Sequence, residues 1–84
     1  MSDQPRATTL ERVRNVVAAV LHVPLTSVRP TSLLSEITTL DSLSFAEIAA
    51  GLDEEFRIRV PSDDLTAMQT VADLATLVER APRR

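Results

Sequence analysis

The chain has 84 residues, enough for one domain with a small core; at this length folding buries only about 60–65% of the surface of the unfolded chain. Apolar residues make up 44% and charged residues 25%, a globular composition, while the absence of cysteine excludes a disulfide framework or thiolate metal site and the single His22 does not build a zinc site alone. Net charge is −3, no apolar run approaches the ~18 residues of a membrane span, and residues 1–5 lack the basic and apolar regions of a signal peptide, so the expectation is a soluble cytoplasmic chain with no membrane partner.

Residues 1–7 read as a flexible N-terminal arm, 8–80 as the folded domain and 81–84 as a C-terminal tail. Thr8-Thr9-Leu10-Glu11 fits a capping box with Thr8 as N-cap. Leu10, Val13, Val17, Val20 and Leu21 then recur at helical spacing, which predicts a first helix from about Thr9 to His22. Pro24 ends it, because a residue before proline is driven out of the α region.

Residues 24–40 form a long connection rich in Ser and Thr, with Pro24 and Pro30 against a continuous helix. Leu25, Val28, Leu33, Leu34 and Ile37 are apolar, and a connection of this length in a compact domain is functional or holds a short helix of its own. Asp41 is a good N-cap for a second helix, Ser42 to about Phe56. Phe45, Ala49, Leu52 and Phe56, with Ile48 beside them, make its core stripe. Leu43, Ala46, Glu47, Ala50 and Glu54 make another, mixing small apolar residues with acids, a surface with something to touch. Gly51 weakens the helix by ~1 kcal/mol relative to alanine and permits close packing.

Arg57-Ile58-Arg59-Val60-Pro61 alternates like a strand, but five residues without a partner strand make no sheet, so it reads as an extended linker burying Ile58 and Val60. Ser62-Asp63-Asp64-Leu65 starts a one-turn helix with acids where the dipole favours them. Thr70-Val71-Ala72-Asp73 is a second capping-box start. Val71, Leu74, Leu77 and Val78 give the last helix, to about Arg80, its apolar face. The expected architecture is all-α: a small bundle of three main helices plus one short helix, with a long loop between helices 1 and 2.

Charge is segregated along the chain. Residues 36–64 hold eight acids and two arginines, −6, while the rest holds four acids and seven arginines, +3; all nine basic residues are arginine. An acidic middle repels phosphate backbones, which argues against nucleic acid, and steers the domain toward basic protein surfaces. A plain solvated face stands beside that reading.

Asp41-Ser42-Leu43 is the chemical focus. A serine at the first turn of a helix stands beside N–H groups without intrahelical partners and at the positive end of the dipole, so a phosphate esterified to Ser42 would rest near those donors. Asp41 caps the helix and could help place a metal ion brought by a modifying enzyme. An ordinary capping segment is the alternative for three residues taken alone. The lipase-type G-D-S-L signature lacks its glycine here, since Leu40 precedes Asp41. His22, a helix C-terminal residue, gives Ser42 no obvious base, and a bundle this small has little room for an oxyanion hole and pocket. The chain is therefore not expected to be an enzyme.

Asp41-Ser42-Leu43, Glu47, Leu52, Glu54-Glu55-Phe56, Ile58-Arg59-Val60-Pro61, Asp64 and Thr70-Val71-Ala72-Asp73-Leu74 occur in this order, at spacings that match one known pattern without insertion or deletion from Asp41 to the last helix. In that order they resemble an acyl carrier protein, within the wider family of phosphopantetheine-dependent carrier proteins. The resemblance implies a four-helix bundle with a large first loop. It implies that Ser42 receives covalent 4′-phosphopantetheine from coenzyme A through a phosphopantetheinyl transferase, making a phosphoprotein. Acyl, polyketide or aminoacyl groups would then ride as thioesters to loading and transferring enzymes with basic docking patches. Asp41, Leu43 and Met68 fall at positions near the prosthetic group, Met68 at the mouth of the family's acyl cleft. Leu43, Ala46, Glu47, Ala50, Asp53 and Glu54 fall at the partner-contact positions of its recognition helix. Thr38 and Thr39 stand where such carriers usually have leucine and glycine, and Ala46 and Ala50 where bulkier residues are common. Both departures suit a specialised biosynthetic pathway. The expected state is a monomer, and the alternative function is an unmodified carrier-like interaction module.

Overall fold

The computed structural model describes residues 8–37, 42–60 and 62–83, with Ser42, Ser62 and Thr66 as backbone only. The expected N-terminal arm, Thr38, Thr39, Leu40, Asp41, Pro61 and Arg84 lie outside the described residues. The elements in chain order are α1 (Thr9–Leu21), a 3-10 turn (Leu25–Ser27), α2 (Leu34–Ile37), α3 (Ser42–Phe56), α4 (Ser62–Thr66) and α5 (Val71–Arg80). Three long helices and short ones between them make the small all-α bundle that the periodicity predicts.

Both capping boxes form. Thr8 Oγ1 accepts from the Glu11 N–H at 3.1 Å and Glu11 Oε1 accepts from the Thr8 N–H at 3.0 Å, so two donors that the first turn leaves open are satisfied reciprocally. The box at Thr70 and Asp73 does the same for α5. α1 stops one residue short of the predicted end: His22 takes φ 58°, a left-handed C-cap, and the chain turns into Val23-Pro24. Arg57 takes φ 55° immediately after α3 and starts the extended segment.

The core is aliphatic. Val13 and Val17 of α1, Ile48 and Leu52 of α3, Leu65 of α4, and Val71 and Leu74 of α5 are essentially sealed, with Phe45 the one aromatic ring among the buried residues. Ala75 is buried in α5, whereas Leu77, expected on the inner face, is only half-buried. The 3.6-residue period places Leu74, Ala75 and Val78 inward and turns Leu77 toward the flank of the helix. Gly51 marks where α3 crosses α1: a Cβ there would lie 2.8 Å from Val16 Cγ1 and 3.0 Å from Val20 Cγ2. Only glycine lets the two helices approach this closely.

The long connection is stitched down rather than loose. Val28 and Leu34 are buried, while Leu25 and Leu33 stay exposed. Arg14, on α1, donates through Nε to the Val28 carbonyl and through Nη2 to the Leu25 carbonyl, the latter at 3.2 Å. Further along, the Pro30 and Ser32 carbonyls accept from the Ala72 and Val71 N–H groups at 3.0 and 3.2 Å, and Leu34 N–H donates to the Gln69 carbonyl at 2.8 Å. The loop therefore satisfies the first-turn donors of α5 that its own capping box leaves open. After α3, Ile58 and Val60 are buried as the alternation predicts, and Ile58 pairs antiparallel with Arg83 in an isolated bridge. Residues 81–83 thus run alongside the segment that follows α3.

Candidate functional site

Ser42 is the first residue of α3, the position that the capping logic assigned to it. Asp41 and the side chain of Ser42 lie outside the described residues, so the site is built from what surrounds them. Ser42 opens fifteen residues of regular helix, long enough for an aligned dipole whose first-turn N–H groups lack intrahelical acceptors. Leu43, immediately next in sequence, is 68% exposed, the largest value among the exposed large apolar residues. The start of α3 thus offers an exposed leucine and the positive end of a helix dipole, surroundings that suit a serine ester bearing a phosphodiester.

From Leu43 the exposed stripe continues down α3. Ala46, Glu47, Ala50 and Glu54 are all exposed, and neither Glu47 nor Glu54 has an ion-pair or hydrogen-bond partner among the described residues. Asp53 differs from them. It is half-buried, and its Oδ1 accepts from the Val60 N–H at 2.8 Å, so at least one carboxylate oxygen orients the extended segment after α3. Glu55 belongs to another face. Its Oε2 accepts from Arg12 Nε at 2.9 Å, Arg12 Nη2 donates to the Glu55 carbonyl at 2.8 Å, and the Arg12 guanidinium stacks 4.3 Å from the Phe56 ring centroid. The Glu54-Glu55-Phe56 triplet therefore splits into one free surface acid and two residues that tie α3 to α1.

Met68 is half-buried against the core cluster and lines an open groove with Ala67 and Leu77. Among the described residues, Asp73 has its carboxyl held below the ordinary value of 3.8 by N–H groups of Thr70 and Gln69. That shift is a helix-capping effect and lies in α5, in the turn that receives the loop. Arg14 was missed as a structural residue; a lone arginine beside Val13 and Val17 carries no signal that its guanidinium will meet carbonyls of the following loop. Among the described residues there is no cluster of three or more His, Asp or Glu side chains that could hold a metal ion, and no helix long and apolar enough to cross a membrane.

The family described as "phosphopantetheine attachment site" matches residues 11–78. The chain is 34% identical over 71 residues to an acyl carrier protein of Helicobacter hepaticus, covering 84% of this chain and 93% of that one. It is 41% identical over 73 residues to a chloroplastic acyl carrier protein 3 of Hordeum vulgare, covering 86% of this chain and 54% of the barley protein. An acyl carrier protein of Acidothermus cellulolyticus is 28% identical over 81 residues, covering 96% of this chain and 93% of that one.

Proposed function

Since the chain belongs to the phosphopantetheine-attachment family, as an acyl carrier protein, we propose that Ser42 is its attachment residue and that residues 8–80 are the carrier unit. The observation that carries this reading is the place of Ser42: it opens a long helix directly before an exposed leucine and an exposed acidic stripe. The prosthetic group supplies a thiol that holds acyl cargo as a thioester. The chain supplies the anchor, the amides at the start of α3 that favour the diester anion, and the surface that partners read. Asp41, next to Ser42 in the sequence, helps present the serine to the transferase. Met68, packed against the core cluster, is the side chain that gives way when an aliphatic cargo enters, since a thioether is flexible and fills gaps.

Carriers of this family meet phosphopantetheinyl transferases and acyl-handling enzymes. For this chain the contact surface is Leu43, Ala46, Glu47, Ala50 and Glu54, with Asp53 contributing whatever its bond to Val60 leaves exposed. A basic patch on the partner is its complement. The protein acts as a monomer, in the cytoplasm where coenzyme A is supplied, and performs no catalysis itself. Small alanines at 46 and 50 give less apolar contact area than bulky residues would, which suits a specialised pathway with its own partners.

Incubation with coenzyme A and a broad-specificity phosphopantetheinyl transferase tests the assignment by intact mass. The expected result is a single phosphopantetheine adduct on the wild type and none on Ser42→Ala. An adduct that survives Ser42→Ala overturns the residue assignment, and no adduct with any of several transferases supports the interaction-module reading instead.

A further inference from the structure

The connection between α1 and α2 is anchored unequally along its length. Its second half is bound to the start of α5 by backbone: the Ala72 N–H donates to the Pro30 carbonyl, the Val71 N–H to the Ser32 carbonyl and the Leu34 N–H to the Gln69 carbonyl, at 3.0, 3.2 and 2.8 Å. Leu33 pairs antiparallel with Thr70 in an isolated bridge, and Leu34 is buried. Residues 24–29 are held differently. Pro24, Leu25, Thr26, Ser27 and Arg29 are exposed, and only Val28 of these six is buried. Their own bonds are local: the Ser27 N–H donates to the Pro24 carbonyl and the Val28 N–H to the Leu25 carbonyl, both at 2.9 Å, and the Ser32 hydroxyl accepts from the Arg29 N–H at 2.9 Å and donates to the Ser27 carbonyl at 3.4 Å. The tie to α1 is Arg14, which donates through Nε to the Val28 carbonyl and through Nη2 to the Leu25 carbonyl.

From this contrast we infer that residues 24–29 are a flap that opens locally while the bundle stays folded, latched by Arg14 and plugged by Val28. Local opening costs least where few apolar side chains are buried and few backbone bonds reach the rest of the molecule. Lifting the flap breaks the two bonds to one guanidinium and withdraws one valine from the core cluster, so it uncovers a single apolar seat. The bonds inside the turn do not cross to α1 and survive the motion, so the flap moves as a unit. Arg14 is half-buried, and fixing so long a side chain costs rotamer entropy, which keeps the latch weak. Its fork is what matters: Nε and Nη2 share one edge of a rigid plane and reach both carbonyls at once, which an ammonium on a flexible stem does not.

The chain has no cysteine, so a single introduced thiol reports its own accessibility. Val28→Cys is compared with Val17→Cys, because both valines are sealed and cysteine is a small apolar substitute. Reaction of each intact variant with the neutral reagent dithiodipyridine is followed by absorbance, and circular dichroism checks that each is folded. Val28→Cys should react at least about tenfold faster than Val17→Cys, at a rate nearly flat in low urea, because local opening exposes little surface. Val17→Cys waits for global unfolding and should accelerate with urea. Adding Arg14→Met should speed labelling of Val28→Cys by at least about fivefold, and Arg14→Lys should leave most of that increase in place. Thr70→Ala removes the cap of α5 and no bond to residues 24–29. It should speed Val17→Cys by about fivefold and leave Val28→Cys within about twofold. Equal rates for the two thiols, or a parallel response of both to urea and to Thr70→Ala, would mean that only unfolding of the whole bundle frees Val28, and the flap is overturned. A Val28→Cys rate unaltered by Arg14→Met, or returned to its original value by Arg14→Lys, overturns the latch. The mass assay at Ser42 is a separate readout, so neither result bears on the attachment assignment.

Discussion

The two faces of α3 obey opposite rules. Its inner face carries Phe45, Ile48, Ala49 and Leu52, all buried, and Gly51 close under α1. Its outer face carries Leu43, Ala46, Glu47, Ala50 and Glu54, all exposed. On the inner side shape decides: a methyl group more or less is felt because the core is close-packed. On the outer side charge and a few exposed apolar atoms decide, and they contribute nothing to folding that a neutral side chain would not. One helix thus holds the bundle together on one side and carries an exposed, acid-bearing stripe on the other.

The largest expected effect comes from the inner face. Leu52→Ala should cost about 2–5 kcal/mol in urea unfolding, while Leu43→Ala on the outer face should stay within about 0.5 kcal/mol. Comparable losses at both positions would erase the distinction between the faces. Gly51→Ala comes next. Helix propensity favours alanine by about 1 kcal/mol, but the new methyl meets γ-carbons of two β-branched valines at 2.8 and 3.0 Å. Overpacking of this kind costs about 1–3 kcal/mol, so the net result should be destabilising, and a stabilised variant would show that α1 moves aside freely.

Away from α3, Thr70→Ala should cost about 1 kcal/mol by uncapping α5. Asp73 adds a pH signature at the same cap. Its folded carboxyl titrates below the ordinary 3.8, so its contribution to stability is present above 3.8 and is lost as pH falls through the lowered folded value. Asp73→Asn should therefore be less stable than wild type at neutral pH, with the gap closing in acid. A gap that is constant with pH would deny the charged cap. The smallest effect on folding belongs to Glu47→Lys with Glu54→Lys, expected within about 0.5 kcal/mol. The same pair should weaken association with the phosphopantetheinyl transferase and flatten its salt dependence, measured by titration at several ionic strengths. Unchanged affinity and slope would remove the outer stripe from the docking surface.

Much of this was legible in advance because local signals and burial agree. Thr8 with Glu11 and Thr70 with Asp73 are reciprocal caps readable as four-residue strings, and both form. The bounds of α3, Ser42 and Phe56, match the expected ones, and the apolar stripe that ends at Phe56 marks the second of them. The groove that Met68 lines beside α5 was not legible, since Leu77 counted as an inner residue. Glu55 likewise looked like Glu54 until α1 supplied Arg12 as its partner.

Helix positions, caps, the aliphatic core and the serine at a helix start are properties of short stretches, so periodicity and capping chemistry determine them. The path of residues 24–37 is different. It depends on carbonyls of Leu25 and Val28 meeting Arg14, and on carbonyls of Pro30 and Ser32 meeting the first turn of α5 some forty residues away. Backbone carbonyls are the same on every residue, so no side-chain pattern encodes which donor they will find; only the assembled bundle brings the two together.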